Sequence, residues 1–328
     1  MGLIKKLFLL SIVAALAAAG GFGYWLTQPV LSDDQPVEFS IRPGSGVRSL
    51  ARQIRAAGVP LNPYLFEALA RLSGKANKLK AGSYEIEAGK TPLALLEKIA
   101  NGEFSLGTLA IIEGWSFQQM RKAVDAHPAL HHDTAGLSER ELMRKLGADY
   151  AAAEGLFFPD TYRFAKGSSD LQLYQQAHAM LLQRLEQAWQ ARAKGLPYKT
   201  AYDALIMASI VEKETGQRAE RTLIAAVFVN RLRNGMLLQT DPTVIYGMAE
   251  NYQGKIHKRD LLNDTPYNTY TRAGLPPTPI ALPGLESLHA ALNPADSDAL
   301  YFVARGDGTS HFSDNLDEHN RAVNKYQR

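Results

Sequence analysis

Hydrophobic and polar positions at the start of the chain predict a membrane-spanning helix. Residues 7–26 (LFLLSIVAALAAAGGFGYWL) contain no charged side chain, and about 20 apolar residues are enough for a helix to cross the hydrocarbon core of a bilayer. Lys5 and Lys6 precede this stretch. By the positive-inside rule, we expect residues 1–6 to form a cytoplasmic tail and the bulk of the chain to lie across the membrane.

A cleaved signal peptide is the alternative for this segment. Ala15, Ala17 and Ala19 are small residues of the kind that precede a cleavage site. The apolar run is longer than the central region of a typical signal peptide, which favours an anchor. Both interpretations place the chain from about residue 28 onward outside the cytoplasm.

Beyond the apolar segment, the pattern predicts a linker and a small module. Residues 27–36 include Pro29 and two aspartates, which is the composition of a short polar linker. Residues 37–105 combine period-two and helical hydrophobic patterns. The predicted strands are Val37–Arg42 and Gly82–Glu87, and the predicted helices are Val47–Ala57, Pro63–Leu72 and Pro92–Ala100. Short strands interleaved with helices predict an α+β module.

Residues 106–328 follow a mostly helical pattern with short β elements, and they form the predicted larger domain. The predicted helices are Leu171–Lys194, Tyr202–Thr215, Arg221–Asn234 and Asp317–Tyr326, and the predicted hairpin strands are Leu300–Ala304 and Ser310–Ser313. A further helix starts with Asp241 as its N-cap and Pro242 as its first residue. Glu154–Phe164 (EGLFFPDTYRF) is predicted to be a loop whose aromatic residues serve core and turn. The fold class is therefore α+β.

Charge and composition exclude several classes of protein. The 328 residues include 36 basic and 33 acidic side chains, scattered along the chain to a net charge of +3. This pattern gives no indication of nucleic-acid binding. The absence of cysteine excludes disulfide bonds, thiol catalysis and cysteine-ligated metals. His131, His132 and Asp133 carry metal-binding groups, but consecutive residues on a polar stretch seldom converge on one ion. We therefore expect no metal site and no cofactor.

Glu214 is the strongest candidate for acid/base chemistry. The apolar arc of the helix predicted over Tyr202–Thr215 consists of Ile206, Met207, Ile210 and Val211. Glu214 falls near the middle of this arc, and Glu212 projects almost opposite, although Leu205 on that side weakens the contrast. A carboxyl group among apolar side chains loses hydration of its charged form, so its pKa rises and it can act as a general acid.

Cleavage of a bond between two sugars requires such an acid. The alternative is a structural Glu214 that is satisfied by an ion pair or a helix cap, and the helical wheel alone leaves both interpretations equally open.

The residues around Glu214 resemble one family. ASIVEKET (Ala208–Thr215) and FVNRLRNGMLLQTDPTVIYGM (Phe228–Met248) are similar to motifs of the endolytic murein transglycosylases, the MltG or YceG-like family. Other stretches that resemble the family are EGLFFPDTY (Glu154–Tyr162), YNTYTRAGLPPTPI (Tyr267–Ile280) and LYFVARGDGTSHFS (Leu300–Ser313). GSGVRSLARQI and LKAGSYEI resemble the family's LysM-like module. The resemblance extends from the anchor to the C-terminus.

The resemblance implies a membrane-bound lytic transglycosylase, a lyase that cuts within peptidoglycan strands between N-acetylmuramic acid and N-acetylglucosamine. The product carries a 1,6-anhydromuramyl end. The family's catalytic glutamate corresponds to Glu214, on an active-site helix like that of lysozyme and other lytic transglycosylases. The implied location is the cell inner membrane, with a single span and the bulk of the chain in the periplasm. Peptidoglycan synthases (penicillin-binding proteins) are implied partners.

Lytic transglycosylase chemistry requires one acid/base group, since the muramyl 6-hydroxyl replaces water as nucleophile. Asp241 and Asp160 are the rivals for a second carboxylate, and helix capping and turn formation account for them. By resemblance and residue type, the substrate-groove candidates are Gln239, Thr240, Tyr246, Tyr267, Asn268 and Tyr270. For each of these, an ordinary core or loop contact is an equal alternative.

Two other functions stay open at this point. The chain could be a non-enzymatic scaffold, in which the α+β module binds glycan, the larger domain holds synthases and Glu214 is structural. It could also be a muramidase hydrolase, whose products differ from those of a lyase by carrying reducing ends instead of anhydro ends.

Overall fold

The computed structural model of the chain describes residues 2–32, 35–214 and 217–327. It contains two compact units. The first comprises Met1–Thr108 with two short returns, Ala129–His131 and Arg163–Ser168, and the second comprises the remaining residues to Arg328. Asp33 and Asp34 of the predicted linker, and Thr215, the predicted last residue of the Glu214 helix, lie outside the described residues.

The first helix, α1 (Gly2–Thr27), contains the predicted span of residues 7–26 and extends towards the N-terminus through Lys5 and Lys6. By length and composition, α1 is able to cross a membrane. Its last turn is packed, because Phe22, Trp25 and Leu26 contact the hydrophobic core of the first unit.

Part of the predicted polar linker is also packed into the first unit. Val30 and Leu31 are only 5% and 6% exposed. The Val30 N–H donates to the Lys90 carbonyl at 2.8 Å, and the Leu31 carbonyl accepts from the Gly89 N–H at 3.3 Å. Val30 and Leu31 therefore join the core, although the Pro and Asp residues of this segment had indicated a polar linker.

The first unit continues with short strands and helices. These are β1 (Val37–Ile41), α2 (Val47–Ala56), α3 (Pro63–Leu72), β2 (Gly82–Ile86) and α4 (Pro92–Asn101). Each lies within one residue of its prediction. Strand β1 pairs antiparallel with β2, and this register places Phe39 opposite Tyr84, whose rings stack at 5.7 Å. The mixed α+β character is confirmed, and the likeness to LysM modules stays a prediction.

The remaining elements follow in chain order. They are β3 (Leu106–Ala110), α5 (Phe117–Asp125), β4 (Leu130–His131), α6 (Glu139–Lys145), β5 (Thr161–Ala165), β6 (Ser168–Ser169), α7 (Asp170–Gln190), α8 (Ala201–Glu214), α9 (Arg221–Arg233), α10 (Asp241–Met248), α11 (Lys258–Leu262), α12 (Leu285–Leu292), β7 (Tyr301–Ala304), β8 (Ser310–Ser313) and α13 (Leu316–Tyr326). Strand β3 pairs with β5, β4 with β6, and β7 with β8. Helix α8 contacts α7, α9, α10 and α12, while α13 packs on the β7–β8 hairpin.

Three predictions for the larger domain need correction. The second half of the predicted loop Glu154–Phe164 is strand β5, because its alternating residues pair with β3. Helix α7 ends at Gln190 instead of Lys194. In α10, Thr240 is the N-cap and Asp241 is the first helical residue, so the predicted start is displaced by one position.

Helix α8 also differs from the amphipathic helix that the wheel suggested. All residues from Ala204 to Val211 are buried, because neighbouring helices cover α8 on several sides. Ser209 is fully buried, and its hydroxyl accepts from the Ile280 N–H at 3.0 Å. Helix α8 is therefore the central element of the second unit, and it carries Glu214 as its last residue.

Candidate active site around Glu214

The Glu214 carboxyl lies partly buried at the end of α8. Its Oε1 accepts a hydrogen bond from the Thr240 hydroxyl. Burial raises the pKa of Glu214, and nearby Asp241 adds to this, while the Thr240 hydrogen bond and the positive charge of Arg231 oppose it. The net result is a pKa above the ordinary value, so the protonated form of Glu214 persists closer to neutral pH.

Buried threonines hold the Thr240 hydroxyl in place. The Thr240 N–H donates to Thr269 Oγ1 at 3.1 Å. The Thr243 hydroxyl donates to the Thr240 carbonyl at 2.8 Å and also contacts Thr269 Oγ1 at 2.8 Å. All three threonines are at most 2% exposed. Because this network fixes the backbone of residue 240, it also fixes the donor to Glu214.

The backbone immediately before Thr240 is strained. Gln239 has a φ of +49°, in the left-handed region that residues other than glycine seldom occupy. Its N–H donates to the Thr269 carbonyl at 3.1 Å, which holds this conformation. The Gln239 side chain is exposed. Strain of this kind often occurs where a fold presents a side chain to a ligand.

The Glu214 side chain lines a groove with a volume of about 720 Å³. Its lining includes Glu214, Arg231, Gln239, Asp241 and Tyr270, and on the C-terminal side Tyr301, His319 and Asn320. The groove therefore presents carboxyl, amide, phenol and imidazole groups together. Such a surface suits a polar substrate with ring faces and several hydrogen-bonding groups.

Glu212 and Glu214 lie on the same helix but have different surroundings. The Glu212 side chain is 6% exposed and forms an ion pair with Arg221 at 3.3 Å. It also accepts from the Gly284 N–H at 2.9 Å and the Ser287 hydroxyl at 2.7 Å. Both glutamate side chains are thus withdrawn from water, but they differ in the groups that contact them. Glu212 contacts one cation and two hydrogen-bond donors, and this set of contacts gives it a structural role.

The structure brings together some of the predicted substrate residues. Gln239 and Tyr270 line the groove with Glu214, and Thr240 contacts Glu214 directly. Tyr270 donates from its hydroxyl to Asp241 Oδ1 at 2.6 Å. These contacts place the three residues at the same site as the candidate acid.

The other predicted substrate residues make internal contacts. Tyr246 and Tyr267 pack edge to face at 4.8 Å, and the Tyr267 hydroxyl contacts Thr278 Oγ1 at 2.9 Å. Asn268 is fully buried. Its amide donates to the carbonyls of Leu261 and Asn263 and accepts from the Tyr270 N–H. Asn268 therefore fixes the loop that carries Tyr270.

Glu154 is a buried carboxyl that the sequence analysis did not single out. It is 3% exposed, and burial raises its pKa to about 7. The Phe117 N–H donates to both carboxyl oxygens at 3.0 and 3.1 Å, and Tyr246 donates to Oε2 at 3.2 Å. The only sign of Glu154 in the sequence was its place as the first residue of the EGLFFPDTY motif. Gly155 follows with a φ of +75°, where a Cβ would collide with Pro279.

The two rival carboxylates have different positions. Asp160 is exposed and accepts from the N–H of the next residue, Thr161, at 2.7 Å. Thr240, not Asp241, is the N-cap of α10, and Asp241 lines the groove beside Glu214. The sequence-based explanation of Asp241 as a helix cap is therefore wrong.

Sequence patterns gave little indication of the C-terminal wall of the groove. The His319 ring of α13 stacks on the Tyr301 ring, with 5.1 Å between ring centroids, and the Arg231 guanidinium carbon lies 5.0 Å from the centroid of the same Tyr301 ring. Arg231 donates to the carbonyls of Leu300 and Leu238 at 2.7 and 2.9 Å. Tyr301 belongs to a recognised motif, whereas α13 was predicted only as a closing helix.

A carboxyl with a raised pKa, held by a buried hydroxyl at an open polar groove, is chemically suited to proton transfer. The chain belongs to the YceG-like family, whose model matches residues 39–325. The resemblance found in the sequence motifs is confirmed.

Named relatives agree with this assignment. An endolytic murein transglycosylase of Bacillus subtilis is 31% identical over 324 residues, covering 93% of this chain and 89% of the relative. One of Streptococcus pneumoniae is 29% identical over 361 residues, covering 97% of this chain but 65% of the longer relative. A crystal structure of a YceG-like protein from Listeria monocytogenes matches with a TM-score of 0.55 and 29% identity, over 88% of this chain and 99% of that chain.

Proposed function

We propose that this protein is an endolytic murein transglycosylase that cuts peptidoglycan strands as a lyase, with Glu214 as its acid and base. The observation that carries the proposal is the Glu214 carboxyl at the groove, with its pKa raised by burial and its position fixed by Thr240. The names of the bacterial relatives support the substrate. The strained backbone of Gln239 and the raised pKa of Glu214 at one groove favour an enzyme over a scaffold.

The proposed reaction uses the same carboxyl twice. Protonated Glu214 gives its proton to the glycosidic oxygen as the bond to the muramyl anomeric carbon breaks. The resulting carboxylate removes the proton of the muramyl 6-hydroxyl, whose oxygen attacks that carbon and closes the 1,6-anhydro ring. Glu214 ends protonated, and no water is consumed. The Thr240 hydrogen bond stabilises the carboxylate between the two transfers.

A muramidase hydrolase is the second candidate, because Asp241 lines the groove beside Glu214. A hydrolase requires a second carboxylate to activate water or to form a covalent intermediate. Asp241 accepts from the Tyr270 hydroxyl at 2.6 Å, so one of its oxygens is already engaged. We assign Asp241 to orienting Tyr270 and to raising the pKa of Glu214, as its negative charge does.

Mass spectrometry of the cleavage products tests these assignments. Un-cross-linked glycan strands are incubated with the full-length protein in detergent and with Glu214→Gln and Asp241→Asn variants, after circular dichroism has verified their folding. The proposal predicts anhydro ends from the wild type, none from Glu214→Gln and the same anhydro ends, formed more slowly, from Asp241→Asn. Reducing ends that vanish in both variants would establish a hydrolase. Undiminished cutting by Glu214→Gln would remove Glu214 from catalysis.

We further propose that α1 anchors the protein in the inner membrane with its N-terminus in the cytoplasm. The length and composition of α1 and the position of Lys5 and Lys6 support this topology. A C-terminal alkaline phosphatase fusion should be active, and the mass of the membrane-extracted protein should include residues 2–26. Loss of those residues would indicate a cleaved signal peptide. Synthases that elongate glycan strands are the proposed partners, and co-purification after crosslinking tests for them.

A further inference from the structure

Three metal-binding side chains meet in the second unit, away from Glu214 in the sequence. Asp125 is the last residue of α5, His132 follows β4, and Asp170 is the first residue of α7. Each offers one ligand atom, and these atoms all lie within 4.8 Å of one another. Of the consecutive residues His131, His132 and Asp133, the fold directs only His132 into this cluster.

We propose that Asp125, His132 and Asp170 form a binding site for a divalent transition-metal ion of the Zn²⁺ type. One imidazole nitrogen and two carboxylate oxygens are ligands that Zn²⁺ accepts in proteins, with a water in the fourth position. At metal–ligand distances of about 2.1 Å, tetrahedral ligands are separated by about 3.4 Å. Asp125 is exposed, so rotation of its side chain can close the cluster to this spacing.

Asp170 is the fixed member of the cluster. It is fully buried, and its Oδ2 accepts from the Thr134 hydroxyl at 2.6 Å, while the Thr134 N–H donates to Oδ1 at 3.2 Å. Hydrogen bonds of this kind orient a ligating carboxylate and leave further lone pairs for the metal.

Tyr174 gives an independent indication of a ligand. It is fully buried, and its hydroxyl has no hydrogen-bond partner in the part of the chain that the structure describes. Tyr174 lies one helical turn after Asp170, on the same face of α7. Burial and the negative charges of Asp125 and Asp170 raise the pKa of this hydroxyl, and the positive charge of Arg121 opposes them. A metal-bound water would donate to the Tyr174 hydroxyl.

Arg121 carries a positive charge that opposes cation binding. It lies one turn before Asp125 on α5, and its positive charge reaches the Tyr174 hydroxyl. Its guanidinium donates to the Leu137 carbonyl, so this end of the side chain is held by the backbone. Two carboxylates outweigh one guanidinium, and the cluster remains negative when His132 is neutral. A bound ion would tie α5, the segment after β4 and α7 together.

Zn²⁺ titration of the full-length protein in detergent, against a chromophoric chelator, tests the site. The variants are Asp125→Asn and His132→Gln, with His131→Gln as the matched control. Asp170→Asn is avoided because Asp170 also holds Thr134. We expect one Zn²⁺ per chain in the wild type and in His131→Gln, and at least about tenfold weaker binding in the other two. Zn²⁺ should raise the midpoint of thermal unfolding only where it binds.

Equal affinity of the wild type and His132→Gln for Zn²⁺ would overturn the proposal, as would loss of binding in His131→Gln to the same extent. This inference is independent of the proposed function. Glu214→Gln should therefore bind Zn²⁺ like the wild type whether or not the protein cuts glycan strands.

Discussion

The Thr240 hydroxyl donates a hydrogen bond to Oε1 of Glu214 from a position 26 residues further along the chain. Thr240 is the N-cap of α10, and Glu214 is the last residue of α8. The contact between these two helices thus determines both where the Glu214 carboxyl lies and how strongly its charged form is stabilised.

Replacement of Thr240 by Val should shift the pH dependence of cutting. The lost hydrogen bond stabilised the charged form, so the pKa of Glu214 rises further. Since the acid must be protonated, kcat/KM falls as pH rises through this pKa. In the variant, this fall of kcat/KM should occur at a pH about one unit higher than in the wild type. The maximum rate should drop about tenfold, because the carboxyl is less well positioned. Product formation measured across pH gives both quantities.

Thr240→Ser is the matched control for this experiment, since it keeps the hydroxyl. It should restore the wild-type pH dependence. A fall of kcat/KM at the wild-type pH in Thr240→Val would show that another group sets the pH dependence.

Two identical substitutions on α8 should have opposite consequences. Glu212→Gln leaves Arg221 buried without its anionic partner, so the free energy of unfolding should fall by about 3 kcal/mol. Glu214→Gln removes a desolvated carboxyl and should leave stability unchanged or higher. Denaturant unfolding of the two variants makes the comparison. Equal destabilisation by both would contradict the division into a structural and a reactive glutamate.

Glu154 should make stability decrease as the pH rises. Its pKa is about 7 in the folded protein, against an ordinary value of 4.5. Between these values the folded state binds more protons than the unfolded state, so the free energy of unfolding falls with increasing pH. The contribution is fully present below pH 4.5 and is lost as pH rises through 7. Its size is about 3 kcal/mol.

Unfolding of the wild type and Glu154→Gln between acidic and neutral pH measures this contribution. The variant should lack the slope, whereas Glu186→Gln, an exposed position of α7, should keep it. The same slope in wild type and Glu154→Gln would assign it to other groups.

The effect of the strained Gln239 backbone on stability can be measured separately from the effect of its side chain on activity. Gln239→Gly and Gln239→Ala both remove the amide, but only glycine adopts a φ of +49° without strain. The glycine variant should be more stable than the alanine variant by about 1 kcal/mol. Both should cut strands equally slowly if the amide contacts sugar. Chemical denaturation and product assays report the two effects, and a glycine variant with wild-type activity would argue against an amide contact.

Local patterns in the sequence determined much of this protein. The bounds of α3 follow from the Asn62 cap, Pro63 and the apolar period that ends at Leu72, all of which are neighbours along the chain. The apolar run of α1 and the position of Glu214 in a recognisable motif are equally local. Such features depend on contacts between residues a few positions apart, which composition and spacing record directly.

Only the tertiary structure determined which side chains contact Glu212 and Glu214. Glu212 and Glu214 were ranked by a helical wheel, yet their difference comes from Arg221 and Thr240, which other helices bring to them. The pairing of β5 with β3 and the cluster of Asp125, His132 and Asp170 also join distant segments. The hydrophobic periodicity of the sequence does not predict these contacts, because burial and hydrogen-bond partners depend on how whole helices and strands pack. The sequence therefore identified the candidate acid, and the packing around α8 determined its surroundings.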